Sequence, residues 1–396
     1  MDEINFFPDN LNVQNQKVIL RLDLNVPLRD KIIQDDTRIV LCLPLIKRLV
    51  EKKAKIIIIS HLGRPRGIKA PELSLIPIYK YLKKSLPTNV YFYMGNLDED
   101  AQDKFSHLKE GEIILIENIR YFKEESNNDE DFAKRLSSLG DIYINDAFSC
   151  SHRKQASIHN ITKFIKKSFA GPLLEKEINA INFVIQNKKE PVTCIIGGSK
   201  ISTKINVISS LIEKVNNLVI VGAMANNFFI YKNLKIGKSL VEENTNEIIR
   251  TIYEKANKNK CKIIIPEDCM VGSSFTSDGI NKDINTIEDN DIILDIGTKT
   301  IEVLKKIIDQ SKTVLWNGPA GYFENENFLI GTMSIAEAIS KNTAENSLIS
   351  ILGGGDTLAA IKQSKNKLFF THLSTAGGAF LEYLEGKDLP GLSVLK

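Results

Sequence analysis

Lys55-Ile-Ile-Ile-Ile-Ser-His-Leu-Gly-Arg-Pro65 runs from an unbroken apolar stretch straight into a polar, glycine-containing turn. Ile56–Ile59 has the length of a strand and is far too short to span a membrane. The same pattern recurs along the chain. Val18–Leu22 leads into Asp23-Leu24-Asn25, Ile113–Glu117 into Asn118-Ile119-Arg120, and Ile142–Asn145 into Asp146-Ala147-Phe148. Further on, Val192–Ile196 precedes Gly197-Gly198-Ser199-Lys200, and Leu218–Val221 precedes Gly222-Ala223-Met224. Thr313–Trp316 precedes Asn317-Gly318-Pro319, and Leu348–Leu352 precedes Gly353-Gly354-Gly355-Asp356-Thr357. Val90–Met94, Lys262–Pro266 and Ile292–Asp295 complete the expected strands. Amphipathic stretches over Arg38–Lys53, Asp129–Leu139, Leu173–Asn187, Lys204–Lys214 and Lys299–Gln310 fall between them. This alternation predicts an α/β fold of parallel sheets covered by helices on both faces, a three-layer αβα, Rossmann-like arrangement. In such sheets ligands bind beyond the carboxyl ends of the strands, which is where the polar motifs fall.

A chain of 396 residues exceeds what one hydrophobic core serves, so two lobes are expected. Gly171-Pro172 marks the change: proline suits a first helical turn, where its missing N–H would be unpaired anyway. The expected lobes are 1–171 and 172–388, with a hinge between them. Hydrophobic residues at 43% and charged residues at 26% fit a soluble globular protein. A net charge of +3 is too small to argue for nucleic acid or an anionic membrane as partner. The acidic start Met1-Asp2-Glu3 has no basic or apolar leader pattern, and a cytoplasmic location is expected. Five scattered cysteines without a C-x-x-C pair argue against both a disulfide framework and a zinc site. Cys150 and His152 suggest a thiol nucleophile only if they touch in space; otherwise Cys150 is a reduced loop cysteine.

Ten of the 52 basic residues are arginines, and nine of these precede position 154. Guanidinium grips phosphate or carboxylate through paired hydrogen bonds that lysine cannot match. Arg21, Arg38, Arg64, Arg120 and Arg153 fall near strand ends or at the start of a following helix, whereas Arg29, Arg48 and Arg135 do not. Cations so gathered repel one another unless a polyanion fills the space. The implied ligand is small, with a carboxylate and at least one phosphate. His61, three residues before Arg64, is expected to hydrogen-bond that ligand, and Asp23 and Asn25 to orient arginines or accept a substrate hydroxyl.

The second lobe offers a different chemistry. Gly353-Gly354-Gly355-Asp356-Thr357 follows a strand and opens a helix, so backbone N–H groups are available to phosphate oxygens. Asp356 is placed for Mg2+, which takes one or two carboxylates plus phosphate oxygens. Lys200 and Lys204 are four apart at an expected helix start, so both ammonium groups point the same way. Glu324, close after Asn317-Gly318-Pro319, is placed to accept from a ribose hydroxyl. Neither G-x-x-x-x-G-K-[ST], G-x-G-x-x-G nor the protein-kinase H-R-D and D-F-G pair occurs.

Taken in order, these strings resemble phosphoglycerate kinase along almost the whole chain. The segments are Arg21-Leu-Asp-Leu-Asn-Val-Pro, Ser60-His-Leu-Gly-Arg-Pro, Glu117-Asn-Ile-Arg, Asn145-Asp-Ala-Phe with His152-Arg153, Pro172-Leu-Leu-Glu-Lys-Glu, Gly197-Gly-Ser-Lys, Trp316-Asn-Gly-Pro, Gly353-Gly-Gly-Asp-Thr and Ser374-Thr-Ala-Gly-Gly-Ala. The resemblance implies reversible transfer between ATP and 3-phosphoglycerate, giving ADP and 1,3-bisphosphoglycerate, with Mg2+ and by a monomer. By it, Asp23, Asn25, Arg38, His61, Arg64, Arg120 and Arg153 bind the acid, with Arg21 contributing nearby. It makes Ser199, Lys200, Lys204, Asn317, Pro319 and Gly354–Thr357 nucleotide contacts, with Asp356 on the metal, and sets adenine near Gly198, Gly222 and Gly297. Arg38, Lys200, Gly354 and Gly355 are then the groups acting on the transferred phosphoryl. It also implies that 389–396 packs back onto the first lobe. Three positions depart from the family pattern: Thr203 replaces an acidic residue, Thr298 a proline and Ala223 a glycine. The competing reading is a non-catalytic nucleotide-binding scaffold, against which the presence of Arg38, Lys200 and Asp356 counts. A hydroxy-acid dehydrogenase lacks its dinucleotide fingerprint.

Overall fold

The structure, a computed structural model, describes residues 4–396. In the first half, β1 (Lys17–Arg21), β4 (Lys55–Ile59), β5 (Val90–Tyr93), β6 (Ile113–Ile116), β7 (Ile142–Asn145) and β8 (Ser168–Ala170) form one sheet, ordered β5-β6-β4-β1-β7-β8. All its pairings are parallel. β2 (Leu28–Arg29) and β3 (Ile32–Ile33) make a short antiparallel pair outside it. Ile56–Ile59 of β4 are fully buried, so a strand covered on both faces explains the run without alternation. Each such isoleucine contributes roughly 1.5–3 kcal/mol of burial.

β9 (Val192–Ile196), β10 (Asn217–Ile220), β11 (Lys262–Ile264), β15 (Thr313–Asn317), β16 (Ile349–Gly353) and β17 (His372–Ser374) form the second parallel sheet, ordered β11-β10-β9-β15-β16-β17. β12 (Asp268–Gly272), β13 (Ile280–Asp283) and β14 (Ile292–Ile296) form a separate antiparallel sheet. Ile292–Asp295 therefore belongs to this small sheet and not to the parallel one, a distinction that a short apolar run does not carry. Trp316 is fully buried in β15, and its indole N–H donates to Gly318 O at 2.7 Å. Among the described residues no helix is long and apolar enough to cross a membrane.

The chain divides into two compact units, one running up to Asn179 and resuming over Asp388–Lys396, the other Ala180–Lys387. The division thus falls inside the helix Pro172–Asn187, eight residues after the Gly171-Pro172 junction. In the first unit Leu389, Leu392 and Leu395 are buried, Gly391 N donates to Ser151 O at 2.8 Å, and Asn5 N donates to Leu395 O at 2.7 Å.

Asp146 builds the start of that helix. Its Oδ1 accepts from Leu173 N at 2.7 Å and Leu174 N at 3.0 Å, while its buried Oδ2 has no partner. A Cβ on Gly171 would lie 2.5 Å from the carboxylate, so glycine is what lets the cap approach. Burial raises the Asp146 carboxyl from 3.8 to about 6, against the pull of the two amides. A folded-state pKa above the unfolded one means stability is fullest below the ordinary value and lost as pH rises through 6. The loss amounts to about 3 kcal/mol at most. Asp146→Asn keeps an acceptor for both amides, so its melting temperature should gain on wild type as pH rises from 4 to 7; parallel melting curves across that range would refute this.

Candidate active site

In the first unit, the loops after β1, β4 and β7 and the turn after β6 bring their polar side chains together. Asp23 pairs with Arg38 at 2.8 Å, and Arg38 also donates to Asn25 O at 3.0 Å. Asn25 Oδ1 accepts from Gly63 N at 2.9 Å, and Gly63 O accepts from Arg120 at 2.8 Å. Burial alone would raise Asp23, but the Arg38 guanidinium and a hydrogen bond from Ser149 outweigh it and hold the carboxyl below its ordinary value. Burial lowers Arg120 to about 10, with Arg21 and Arg153 adding repulsion. His61 is buried, and burial followed by the Arg21 charge depresses its pKa well below 6.5, leaving a neutral imidazole.

Arg153 is half-buried, and its Nε donates to His152 Nε2 at 3.0 Å. His152 is pulled down to about 4 by burial, then by Arg153, Arg120 and the exposed Arg64. This edge therefore gathers Arg38, Arg64, Arg120 and Arg153 with the Asp23 carboxylate paired among them, which suits a multiply charged anion. Arg21 is different. It is fully buried and its donors are engaged: Nε to Ser157 Oγ at 3.0 Å, Nη1 to Leu22 O, and Nη2 facing His61 and Cys150. It lies beneath the cluster, its donors turned to the protein. Cys150 lies beside His61, 3.8 Å from Nδ1, and not beside His152, so the dyad suggested by sequence proximity does not form.

Glu125 is the residue the sequence hid. It is fully buried, and its carboxylate accepts from Ser157 N at 2.8 Å and Ser157 Oγ at 2.7 Å. Burial raises its pKa, opposed by the charge of Arg21, which it balances through Ser157. Nothing in Lys123-Glu-Glu-Ser126 distinguishes it from Glu124.

In the second unit, a cavity of about 330 Å³ opens among Gly198, Gly222, Leu240, Phe275, Pro319 and Glu324, with Ser199, Ala223 and Asp356 on its wall. Gly197 and Gly318 bring two loops into backbone contact: a Cβ on either would lie within 2.5 Å of the other strand's loop. Gly297 is not in the lining; it abuts the Asp268 carboxylate and precedes the helix Thr298–Gln310. Thr298 N donates to Asn281 Oδ1 at 2.9 Å, a bond that a proline there could not make.

Lys200 and Lys204 lie in the turn before the helix Ile205–Ile212, not at its first positions. Lys200 is exposed; Lys204 donates to Gly197 O at 2.5 Å and Asn317 Oδ1 at 3.0 Å. Burial lowers Lys204 to about 8. Thr203 donates to Lys200 O at 2.9 Å, closing this turn. Asn317 also donates to Gly353 O at 2.8 Å, and Thr357 Oγ1 accepts from Gly318 N at 2.7 Å. Asn317 and Thr357 are thus buried splints of the cradle. Gly354, at φ +106°, precedes the helix Gly355–Ile361, where nothing lies within 4 Å of a Cβ on Gly355 and Asp356 is exposed. One exposed carboxylate beside open backbone amides fits a magnesium ion carried by phosphate oxygens.

Fold and site define a two-unit α/β protein with a cationic anion-binding edge and a separate glycine-rich cradle of the phosphate-binding kind. The family model described as phosphoglycerate kinase matches residues 8–387, and the chain belongs to this family of phosphotransferases. It is 46% identical over 390 residues to the phosphoglycerate kinase of Wolbachia pipientis wMel, covering 98% of each chain. Identity to the phosphoglycerate kinase of Finegoldia magna is 43%, again over 98% of each. The structure of phosphoglycerate kinase from Coxiella burnetii is similar with a TM-score of 0.81 at 39% identity, covering 98% of this chain and 97% of that one. That from Pyrococcus horikoshii OT3 gives 0.84 at 28% identity over 98% of each.

Removing Glu125 strands the two Ser157 donors and unbalances a buried guanidinium, a loss of roughly 3–5 kcal/mol. Urea unfolding should show Glu125→Ala losing most of its stability and Glu125→Gln, which retains an acceptor, losing much less; equal losses would show that the charge and hydrogen bonds are not what matter.

Proposed function

We propose that the chain catalyses reversible phosphoryl transfer between ATP and the carboxylate of 3-phosphoglycerate, giving ADP and 1,3-bisphosphoglycerate. The observation that carries this is the gathering of Arg38, Arg64, Arg120 and Arg153 around one paired carboxylate at the edge of a parallel sheet, in a chain of this family. A carboxylate oxygen of the acid attacks the terminal phosphorus as the bond to the bridging oxygen breaks, and the electron pair leaves on ADP. The attacking group is already ionised, so no general base is required.

Arg38 orients the attacking carboxylate while Asp23 fixes the guanidinium. Arg64, Arg120 and Arg153 hold the phosphate of the acid, and His61 supplies a neutral hydrogen-bonding ring. Lys200 reaches the phosphoryl group in flight. Lys204 and the amides of Gly354 and Gly355 receive the nucleotide phosphates. Adenine occupies the apolar part of the cavity by Gly198, Gly222 and Pro319, and Glu324 accepts from the ribose. Asp356, together with phosphate oxygens of the nucleotide, would hold magnesium, which would neutralise charge on those oxygens. Ordering these groups before reaction is the main source of rate. We place the protein in the cytoplasm as a monomer, with the two units drawing closer when both substrates are bound; unchanged X-ray scattering under those conditions would count against that movement.

A coupled assay with 3-phosphoglycerate and Mg-ATP tests the activity itself, and its absence in folded protein would favour the scaffold reading. Arg38→Ala and Lys200→Ala should each lower turnover by about 10²–10³-fold with the melting temperature near wild type. Near-normal turnover in either would remove that residue from its role.

A further inference from the structure

Asp23, His61 and Cys150 come from the loops after three neighbouring strands, β1, β4 and β7, and their ligand atoms lie within 4.8 Å of one another. All three are buried. We propose that they form a chelating site for a thiophilic divalent cation of the zinc type, and that a cation held there excludes the phosphorylated acid. The exclusion rests on the substrate reading above; the chelation does not.

The geometry is close to what such an ion needs. A tetrahedral zinc centre, with bonds of about 2.0–2.3 Å to O, N and S, sets its ligand atoms about 3.3–3.8 Å apart. Cys150 Sγ and His61 Nδ1 are already 3.8 Å apart. Arg21 Nη2 faces His61 Nδ1 at 3.4 Å. That contact is longer than a good hydrogen bond, so a metal taking Nδ1 displaces only a weak one. Of the Asp23 oxygens, Oδ1 accepts from Asn25 N at 3.1 Å, and Oδ2 serves Arg38 and Ser149. A carboxylate has about four lone-pair sites, which leaves room for coordination.

Binding releases the Cys150 proton to solvent, and thiolate plus carboxylate then cancel the two charges of the metal. Arg21 Nη2, 3.8 Å from Sγ, becomes a hydrogen-bond donor to the thiolate. Sulfur and imidazole ligands select zinc, cobalt or copper over magnesium, so the magnesium of the nucleotide should not compete. Cysteine spacing argued against a zinc site because it tests only for paired cysteines; here each ligand comes from a different loop.

The test uses the full chain without substrates. Titration with Co2+ should give a near-ultraviolet thiolate-to-cobalt absorption saturating at one equivalent, erased by Zn2+ but not by Mg2+. Both Cys150→Ser and Cys150→Ala should lose the band while retaining basal turnover. In the coupled assay Zn2+ should raise the KM for 3-phosphoglycerate at fixed Mg-ATP, and either variant should need at least tenfold more Zn2+, since even outer-shell changes cost about 10–100-fold in metal affinity. Zinc X-ray absorption on the wild type, which needs no variant, should show one sulfur among N and O ligands. No band, a band that survives both variants, or a sulfur-free zinc shell overturns the site. Metal binding as described with inhibition indifferent to 3-phosphoglycerate keeps the site and overturns the exclusion.

Discussion

Each parallel strand ends in a loop whose backbone polar groups have lost their ladder partners, and such groups must be satisfied when buried. Both units meet this constraint with asparagine side chains. Asn118 donates to Leu62 O and Leu73 O at 2.7 and 2.9 Å while accepting from Arg120 N. Asn145 accepts from Ala147 N, Asn25 from Gly63 N, and Asn317 links Gly353 O to the Lys204 ammonium. An amide both donates and accepts without adding charge, so it can splint two loops in the middle of a charged cluster. The guanidinium and ammonium groups stand on these splints.

The cost of the arrangement is electrostatic, and it is distributed differently in the two units. The first concentrates guanidinium groups, which keep their charge even where Arg120 is lowered to about 10. It balances the deepest of them, Arg21, with a glutamate that touches it only through a serine. The second uses lysine, whose pKa yields to burial, and Lys204 falls to about 8. An anion arriving at either edge restores the charge balance that folding disturbed. In physical terms, part of the binding free energy is stored in the folded protein.

Much of this was legible in the sequence because an apolar run followed by a polar turn reports local structure. The eleven expected strands all exist, and the strand-end arginines do gather at one edge. Three-residue strands such as Ser168–Ala170 and His372–Ser374 escaped notice, since so short a segment has no period to read. The helix start expected at Lys204 lies one residue later, at Ile205, which turns two lysines from helix-face neighbours into members of a turn. Arg21 looked like its fellow arginines because sequence gives position along a strand but not depth beneath a loop. Glu125 was invisible for the same reason. Its burial is decided by Ser157 and Arg21, residues 32 positions after it and about a hundred before it.

The return of Asp388–Lys396 to the first unit makes the second unit, in terms of chain connectivity, an insertion within the first. Ribosomal synthesis proceeds from the amino terminus at about 5–20 residues per second, and domains usually fold as they emerge. Here the unit begun first is finished last. Ser151 waits for Gly391, and Asn5 for Leu395, until the segment Asp388–Lys396 has been made. The inserted unit has its whole sequence available before that moment, so the order of completion is the reverse of the order of initiation. A nascent chain stopped before Asp388 would carry a finished second unit and an unfinished first one.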